Sequence, residues 1–279
     1  MTADARRGAD VGMQVRRALL GIATFFVWTR LAWTLTLSES LADAALGQAP
    51  WLAAPLRAAA PLLFLVMAAL SIGVATRRFR VPAAGLAFAL MWLVDYAVDD
   101  PHTEKSHILV MAMLLSHAAV GAWRGSSRAV ERTAWDVCCA VAASAYLLAS
   151  WSKLRYGGIF WANPRYMQLL AMNATAQAHG IFLALRLKLA QGPSWVPALG
   201  GTYSLAVEFM GPVMLVRRWR PYYLAAVLAM HMSIYAVMGI FWGAQMLLLF
   251  SLLFPFEAAA IRVRRLLKLR RGGKALAAG

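Results

Sequence analysis

Lys153 closes an apolar run, Val137 to Leu154 (VCCAVAASAYLLASWSKL), in a chain whose other basic residues lie mostly between hydrophobic stretches. An amine at a bilayer boundary, backed by an apolar wall, loses hydration, and desolvation disfavours its charged form. Those are the conditions for a general base. Glu208 falls midway along one long apolar run and His231 midway along the next, so at about 1.5 Å per residue they reach similar depths in antiparallel neighbours. A carboxylate and an imidazole so placed share a proton, or serve only to tie two helices together. His107 opens another apolar run at the same side as Lys153, where it could serve as its acid/base partner; a solvated histidine at a helix start is the plainer alternative.

The other polar residues in apolar runs read as structure. Arg30 needs a partner, and Asp95 is the nearest acid by depth. His117, beside Ser116, reads as a core histidine. Cys138 and Cys139 are adjacent and face different directions on a helix, which suits packing rather than a redox pair or a disulfide. Asp99, Asp100, His102, Glu104 and His107 match no standard ligand spacing, so no metal is expected. The chain has no HExxH, phosphate loop, dinucleotide glycine fingerprint or nucleophile elbow.

The elements that must position these residues are membrane helices. Of 279 residues, 61% are hydrophobic and 14% charged, and the mean hydropathy is +0.61, far from the composition of soluble domains. The net charge of +16 does not point to nucleic acid, because the positive residues cluster at helix ends rather than along one stripe. Eight runs approach the about 20 apolar residues a crossing takes: Leu19 to Leu37, Arg57 to Thr76, Val81 to Val98, Ser106 to Trp123, Ala134 to Leu154, Val196 to Val216, Tyr222 to Gly239 and Ala244 to Ala260. With the amino terminus inside, twenty of the 28 Lys and Arg residues fall on the cytoplasmic side. The expected fold is an all-α, polytopic membrane bundle of about eight helices in the cell inner (plasma) membrane, with both termini cytoplasmic. Residues 1–18 form a cytoplasmic tail, 19–261 the transmembrane domain and 262–279 a basic cytoplasmic tail. Arg16-Arg17 resembles a signal-peptide start, but no small-residue cleavage site follows closely, so the first helix is expected to be retained.

The stretch Arg155 to Trp195 (155–195) does not fit as a crossing. It contains Tyr156-Gly157-Gly158, Asn163-Pro164 and Gly192-Pro193, and its apolar run Gly180 to Leu189 is short and broken by Arg186 and Lys188. It is expected to be an external loop with one or two re-entrant or interfacial helices whose basic side chains snorkel outward. Such a loop would roof a cavity reached from outside.

The segment Ala145-Tyr146-Leu147-Leu148-Ala149-Ser150-Trp151-Ser152-Lys153-Leu154 resembles the tyrosine, alanine-glycine and lysine-leucine pattern of the horizontally transferred transmembrane (HTTM) family, which includes the membrane domain of vitamin K-dependent gamma-carboxylase. Trp161 is similar to the tryptophan that follows this lysine. Gly200-Gly201 with Leu205 to Gly211 resembles the glycine-rich approach to an acidic residue, here Glu208. His231 through Met238-Gly239-Ile240-Phe241 resembles the helix bearing a histidine and then a glycine with aromatics, and Ser106-His107 resembles an asparagine-histidine at a helix start. Ser150 stands where the family has glycine, and no segment corresponding to the carboxylase's large lumenal region follows the last run.

The resemblance implies a reduced quinone of menaquinone or phylloquinone type as cofactor, with O2 and CO2 as the co-substrates of the carboxylase, and no metal. Lys153 would be the base that deprotonates the hydroquinone and His107 would orient it, while Tyr146, Trp161, Glu208 and His231 would line or support its cavity. Oxygenation would then create a strong base able to act on a peptide or lipid. The partners implied are membrane lipid, a quinone reductase and a secreted peptide substrate. Two other classes stay open: a non-catalytic protein of this fold acting in maturation of, or immunity to, a secreted peptide, and a small-solute transporter. Broken helices along a continuous polar path would favour the transporter. A Lys153 nitrogen pointing into bulk water or bound tightly to a carboxylate, with no ring-sized hollow beside it, would end the quinol reading.

Overall fold

The computed structural model describes residues 3–41, 50–97, 107–125, 127–177, 179–240 and 242–276. Asp99, Asp100, His102, Glu104, Lys105 and Ser106 lie outside them. Among the described residues the chain is entirely helical, without a strand. Twelve α-helices follow in order there: α1 (Ala3–Leu41), α2 (Pro50–Ala58), α3 (Ala60–Ala75), α4 (Arg80–Ala97), α5 (His107–Arg124), α6 (Arg128–Gly157), α7 (Pro164–Asn173), α8 (Gly180–Gln191), α9 (Trp195–Phe209), α10 (Arg220–Met238), α11 (Gly243–Leu253) and α12 (Phe256–Leu276). Short 3-10 turns join α6 to α7, α7 to α8 and α9 to α10. Proline in the first turn sets the start of α3, α7 and α10, where its missing N–H costs nothing. Asn163 caps α7 by accepting from Arg165 N at 2.9 Å.

Among the described residues three helices are long and apolar enough to cross a membrane, α5, α6 and α10 with the turn before it, and a fourth crossing would need α11 and the start of α12 together. Large apolar side chains such as Leu62, Leu65, Ile72, Leu86 and Leu148 are more than half exposed, which suits lipid and not water. The chain is therefore membrane-embedded.

Residues 1–134 and 254–279 form one compact unit and 135–253 a second. In the first, α1 packs along α3 and α12, and α4 lies between α3 and α5. Gly8 and Gly12, four residues apart on α1, let α12 approach closely: a Cβ on Gly12 would fall 2.8 Å from the Glu257 backbone nitrogen, and one on Gly8 2.6 Å from Ile261 Cγ1. Deeper along α1, a Cβ on Gly21 would fall 2.6 Å from the Ser71 carbonyl oxygen of α3. Arg16 adds a contact to Glu257 at 3.4 Å. Glu131, on the first turn of α6, is fully buried between two guanidinium groups, with Arg17 Nε at 3.0 Å and Arg80 Nη1 closer still. Arg17, within the expected cytoplasmic tail, and Arg80, between two of the expected spans, are thus a buried part of this unit's core.

The helix boundaries differ from the expected spans in physically clear ways. α1 begins at Ala3 and α12 runs on to Leu276, so the residues before Leu19 and after Arg262 continue helices. The run Val196 to Val216 stays α-helical only to Phe209 and continues as a 3-10 turn over Gly211–Leu215, where Pro212 removes a backbone donor. The run Ala244 to Ala260 is interrupted at Phe254–Pro255 for the same reason.

In the second unit α9 packs on α7 and α10, and α10 on α8 and α11. The stretch 155–195 holds two helices, α7 and α8. Arg186 of α8 does not snorkel: it is 4% exposed and donates to the carbonyls of Ala236 at 3.0 Å, Tyr235 at 3.2 Å and Ala174 at 2.5 Å. Two of these carbonyls lie in the last turn of α10, where that of Tyr235 also accepts from the Gly239 N–H at 2.9 Å. Gly239 ends α10 in the left-handed region, φ 76°, and a Cβ there would meet Arg186 Nη2 at 3.0 Å.

Replacing Glu131 by Gln removes the carboxylate shared by two buried arginines. The variant is expected to lose about 3–5 kcal/mol, read as a lower unfolding temperature in detergent. An unchanged transition would mean that the cluster contributes nothing.

Candidate functional site

Helix α6 places Tyr146, Ser150 and Lys153 at i, i+4 and i+7, on one face. Helix α9 places Gly201, Ser204 and Glu208 at i, i+3 and i+7, also on one face, and α10 supplies His231. Close approach of the backbones brings these faces together. A Cβ on Gly211 would stand 2.7 Å from the Ala143 carbonyl oxygen and 3.0 Å from Tyr146 Cβ, and one on Gly201 3.0 Å from Met167 Sδ. Beyond Lys153 the chain turns back at Gly158, φ 59°, a conformation that glycine adopts without steric cost. The turn sets the Trp161 ring over the amine, with Nζ 5.4 Å from its centroid.

Two polar pairs result, and they are not the one expected from depth. Glu208 does not share a proton with His231: its Oε1 lies 2.5 Å from Lys153 Nζ. The Lys153 side chain is 23% exposed and that of Glu208 7%, so the pair is largely withdrawn from solvent and its Coulomb attraction is weakly screened. Glu208 Oε2 has no hydrogen-bond partner. His231 Nε2 lies 2.5 Å from Tyr146 Oη, and Gln245 Nε2 donates to the same hydroxyl at 2.8 Å. The Tyr146–His231 bond runs from the hydroxyl to Nε2 in the Nδ1–H tautomer and from Nε2–H to the hydroxyl in the other, and Nδ1 is a buried atom without a hydrogen-bond partner. The His231 ring also meets Trp242 edge to face, with centroids 4.9 Å apart.

Beside the ion pair is a cavity of about 380 Å³, within the size range of small-molecule sites. Lys153, Trp161, Tyr166, Met230 and Trp242 line it, along with Gly200, Gly201, Ser204 and apolar residues of α9 and α10. Among the described residues Lys153 is the only charged side chain in that lining. A flat aromatic ring with one acidic hydroxyl fits this donor set: aromatic walls on the ring, and one ammonium where the hydroxyl would sit. Ser204 and Gly201 leave room that larger residues would fill.

Of the residues singled out in the sequence, Lys153, Tyr146, Trp161, Glu208 and His231 belong to this one assembly. His107 lies in the first unit, where its Nε2 is 2.7 Å from Asp95 Oδ1. His117, Cys138 and Cys139 are fully buried. Gln245, Trp242 and Tyr166 join the site without having been singled out. Gln245 alone carried a signal, as the one amide in the apolar stretch Gly243–Leu253.

Tyr146→Phe removes the hydroxyl that satisfies both His231 Nε2 and the Gln245 amide. It is expected to cost about 1–3 kcal/mol, and pairing it with Gln245→Leu should recover part of that loss; strict additivity in thermal unfolding would mean that the two residues do not interact. No protein-family model, no curated protein and no solved structure matches this chain.

Proposed function

We propose that the protein is a membrane-embedded, gamma-carboxylase-like enzyme of HTTM type that removes a proton from a reduced quinone and uses the product to modify a peptide or lipid at the extracytoplasmic face. The observation that carries this reading is Lys153 Nζ at the edge of an aromatic-lined cavity of ring-holding size. A bound quinol of menaquinone or phylloquinone type would supply, with O2, a base strong enough for a weakly acidic C–H bond. Trp161, Tyr166 and Trp242 orient the ring and exclude water; Lys153 receives the hydroxyl proton at Nζ, and Glu208 holds the amine in place. His231 and Tyr146 stiffen the wall behind Trp242. The eight-crossing topology, the inner membrane and two cytoplasmic termini belong to the same proposal, supported by the skew of basic residues. Reporters fused to the two ends are expected to read cytoplasmic, and an external reading at either end would refute that topology.

Purified protein given reduced phylloquinone and oxygen should form quinone epoxide, and Lys153→Ala should reduce the rate by about 10²-fold or more. Absence of epoxide from the wild type would contradict the enzyme reading.

The ion pair itself supports a second reading, in which Lys153 only anchors α6 to α9 and the protein is a non-catalytic maturation or immunity partner of a secreted peptide. A double replacement, Lys153→Met with Glu208→Leu, would then fold stably and keep the biological phenotype; loss of phenotype in a stably folded double variant would exclude it.

A further inference from the structure

The 2.5 Å contact between Lys153 Nζ and Glu208 Oε1 raises a question about where the proton of a bound hydroxyl goes. An amine that close to a carboxylate is an ammonium, and an ammonium has no lone pair with which to accept. The carboxylate has lone pairs on both oxygens: Oε1 engages Nζ, and Oε2 is buried without a hydrogen-bond partner. We propose that the proton taken from a ring hydroxyl in this cavity comes to rest on the Glu208 carboxylate, while Lys153 remains an ammonium beside the oxyanion. This rests on the quinol reading given above and assigns the proton store within that site.

The step balances without another reactant. The hydroxyl O–H bond breaks and its proton passes to Nζ, as one of the three ammonium protons passes from Nζ to Oε1. Before the step the pair is ammonium and carboxylate, with no net charge. After it the pair is ammonium and carboxylic acid, carrying one positive charge opposite the new oxyanion. The low dielectric of the site favours this outcome, because the charge created on the ring is compensated at contact distance and no isolated charge is left behind.

The groups facing Glu208 leave it this role. Lys153 and Tyr146 approach from α6, and Tyr223 from α10. Tyr223 spends its hydroxyl proton on the Val207 carbonyl at 2.9 Å, and the Tyr146 hydroxyl is engaged by His231 and Gln245. His231, within reach of the Lys153 charge, has its Nε2 occupied by Tyr146. Tyr166, on α7, lines the cavity rather than the carboxylate. Glu208 is therefore a positioning residue for Lys153 that also stores the proton.

Infrared difference spectra of the purified full-length protein, recorded without oxygen on adding reduced phylloquinone, test this. Expected are the absorption of the quinol anion and, with it, a new carboxylic-acid C=O band that shifts in D2O. Glu208→Gln should lose that band entirely, and Glu208→Asp should restore one at a shifted frequency. Anion formation without a carboxylic-acid band in the wild type, or a band that survives Glu208→Gln, would overturn the proposal. So would a bound quinol that never ionises. Tryptophan fluorescence recorded on the same samples separates this from the parent reading: if reduced phylloquinone produces no saturable quenching, the quinol site itself is refuted and the proton store with it.

Discussion

The contact between Lys153 and Glu208 is the constraint on which the rest of the second unit depends. Two opposite charges have been taken out of water, at a desolvation cost that only close, well-aligned pairing offsets. That requirement dictates what surrounds them. Gly211 lets its backbone approach that of α6, where a Cβ would fall 2.7 Å from the Ala143 carbonyl oxygen, and Gly201 leaves room for the Met167 side chain. Trp161 covers the amine, and the turn at Gly158 brings it there. An ion pair packed so tightly would be only a clasp between helices if nothing opened beside it; the adjoining hollow of about 380 Å³ is what makes chemistry there conceivable.

A second polar group stiffens the opposite wall. Tyr146, His231 and Gln245 are joined by hydrogen bonds of 2.5 and 2.8 Å, and Trp242 stands edge-on against the imidazole. Each of these side chains comes from a different part of the chain, so the network fixes α6, α10 and α11 against one another in the region that faces the cavity. Arg186 performs a related service at the end of α10, satisfying carbonyls where Gly239 stops the helix. Rigid walls matter more than usual when the only charged group described in the lining is a single ammonium, since orientation must then come from shape.

The helical class and the membrane setting were legible because a long uninterrupted apolar run can satisfy its backbone polar groups in lipid only as a helix. α5, α6 and α10 correspond to such runs. The run containing Pro255 was misleading, since hydropathy averages over a residue that breaks the helix without lowering the average. The basic stretch after Arg262 looked like a tail, yet its leucines, lysines and arginines are good helix formers and α12 continues through it. At the site, ionisable residues in apolar helices drew attention to Lys153, Glu208 and His231. Their partners were misjudged because depth follows from counting residues, whereas direction around the axis turns about 100° per residue and is decided by packing. Glu131 was hidden among the loop charges around it, and Arg186 was taken for a snorkelling cation because burial of a guanidinium on backbone carbonyls leaves no mark in one sequence.

The most direct measurement is photolabelling of the purified protein in lipid nanodiscs with a photoreactive naphthoquinone, followed by identification of the modified residues. A ring seated beside the ion pair should place the label on Trp161, Tyr166, Met230 or Trp242, and excess unlabelled phylloquinone should compete it away. Labelling confined to other helices, or labelling of these residues that excess phylloquinone leaves untouched, would contradict a quinol site at Lys153.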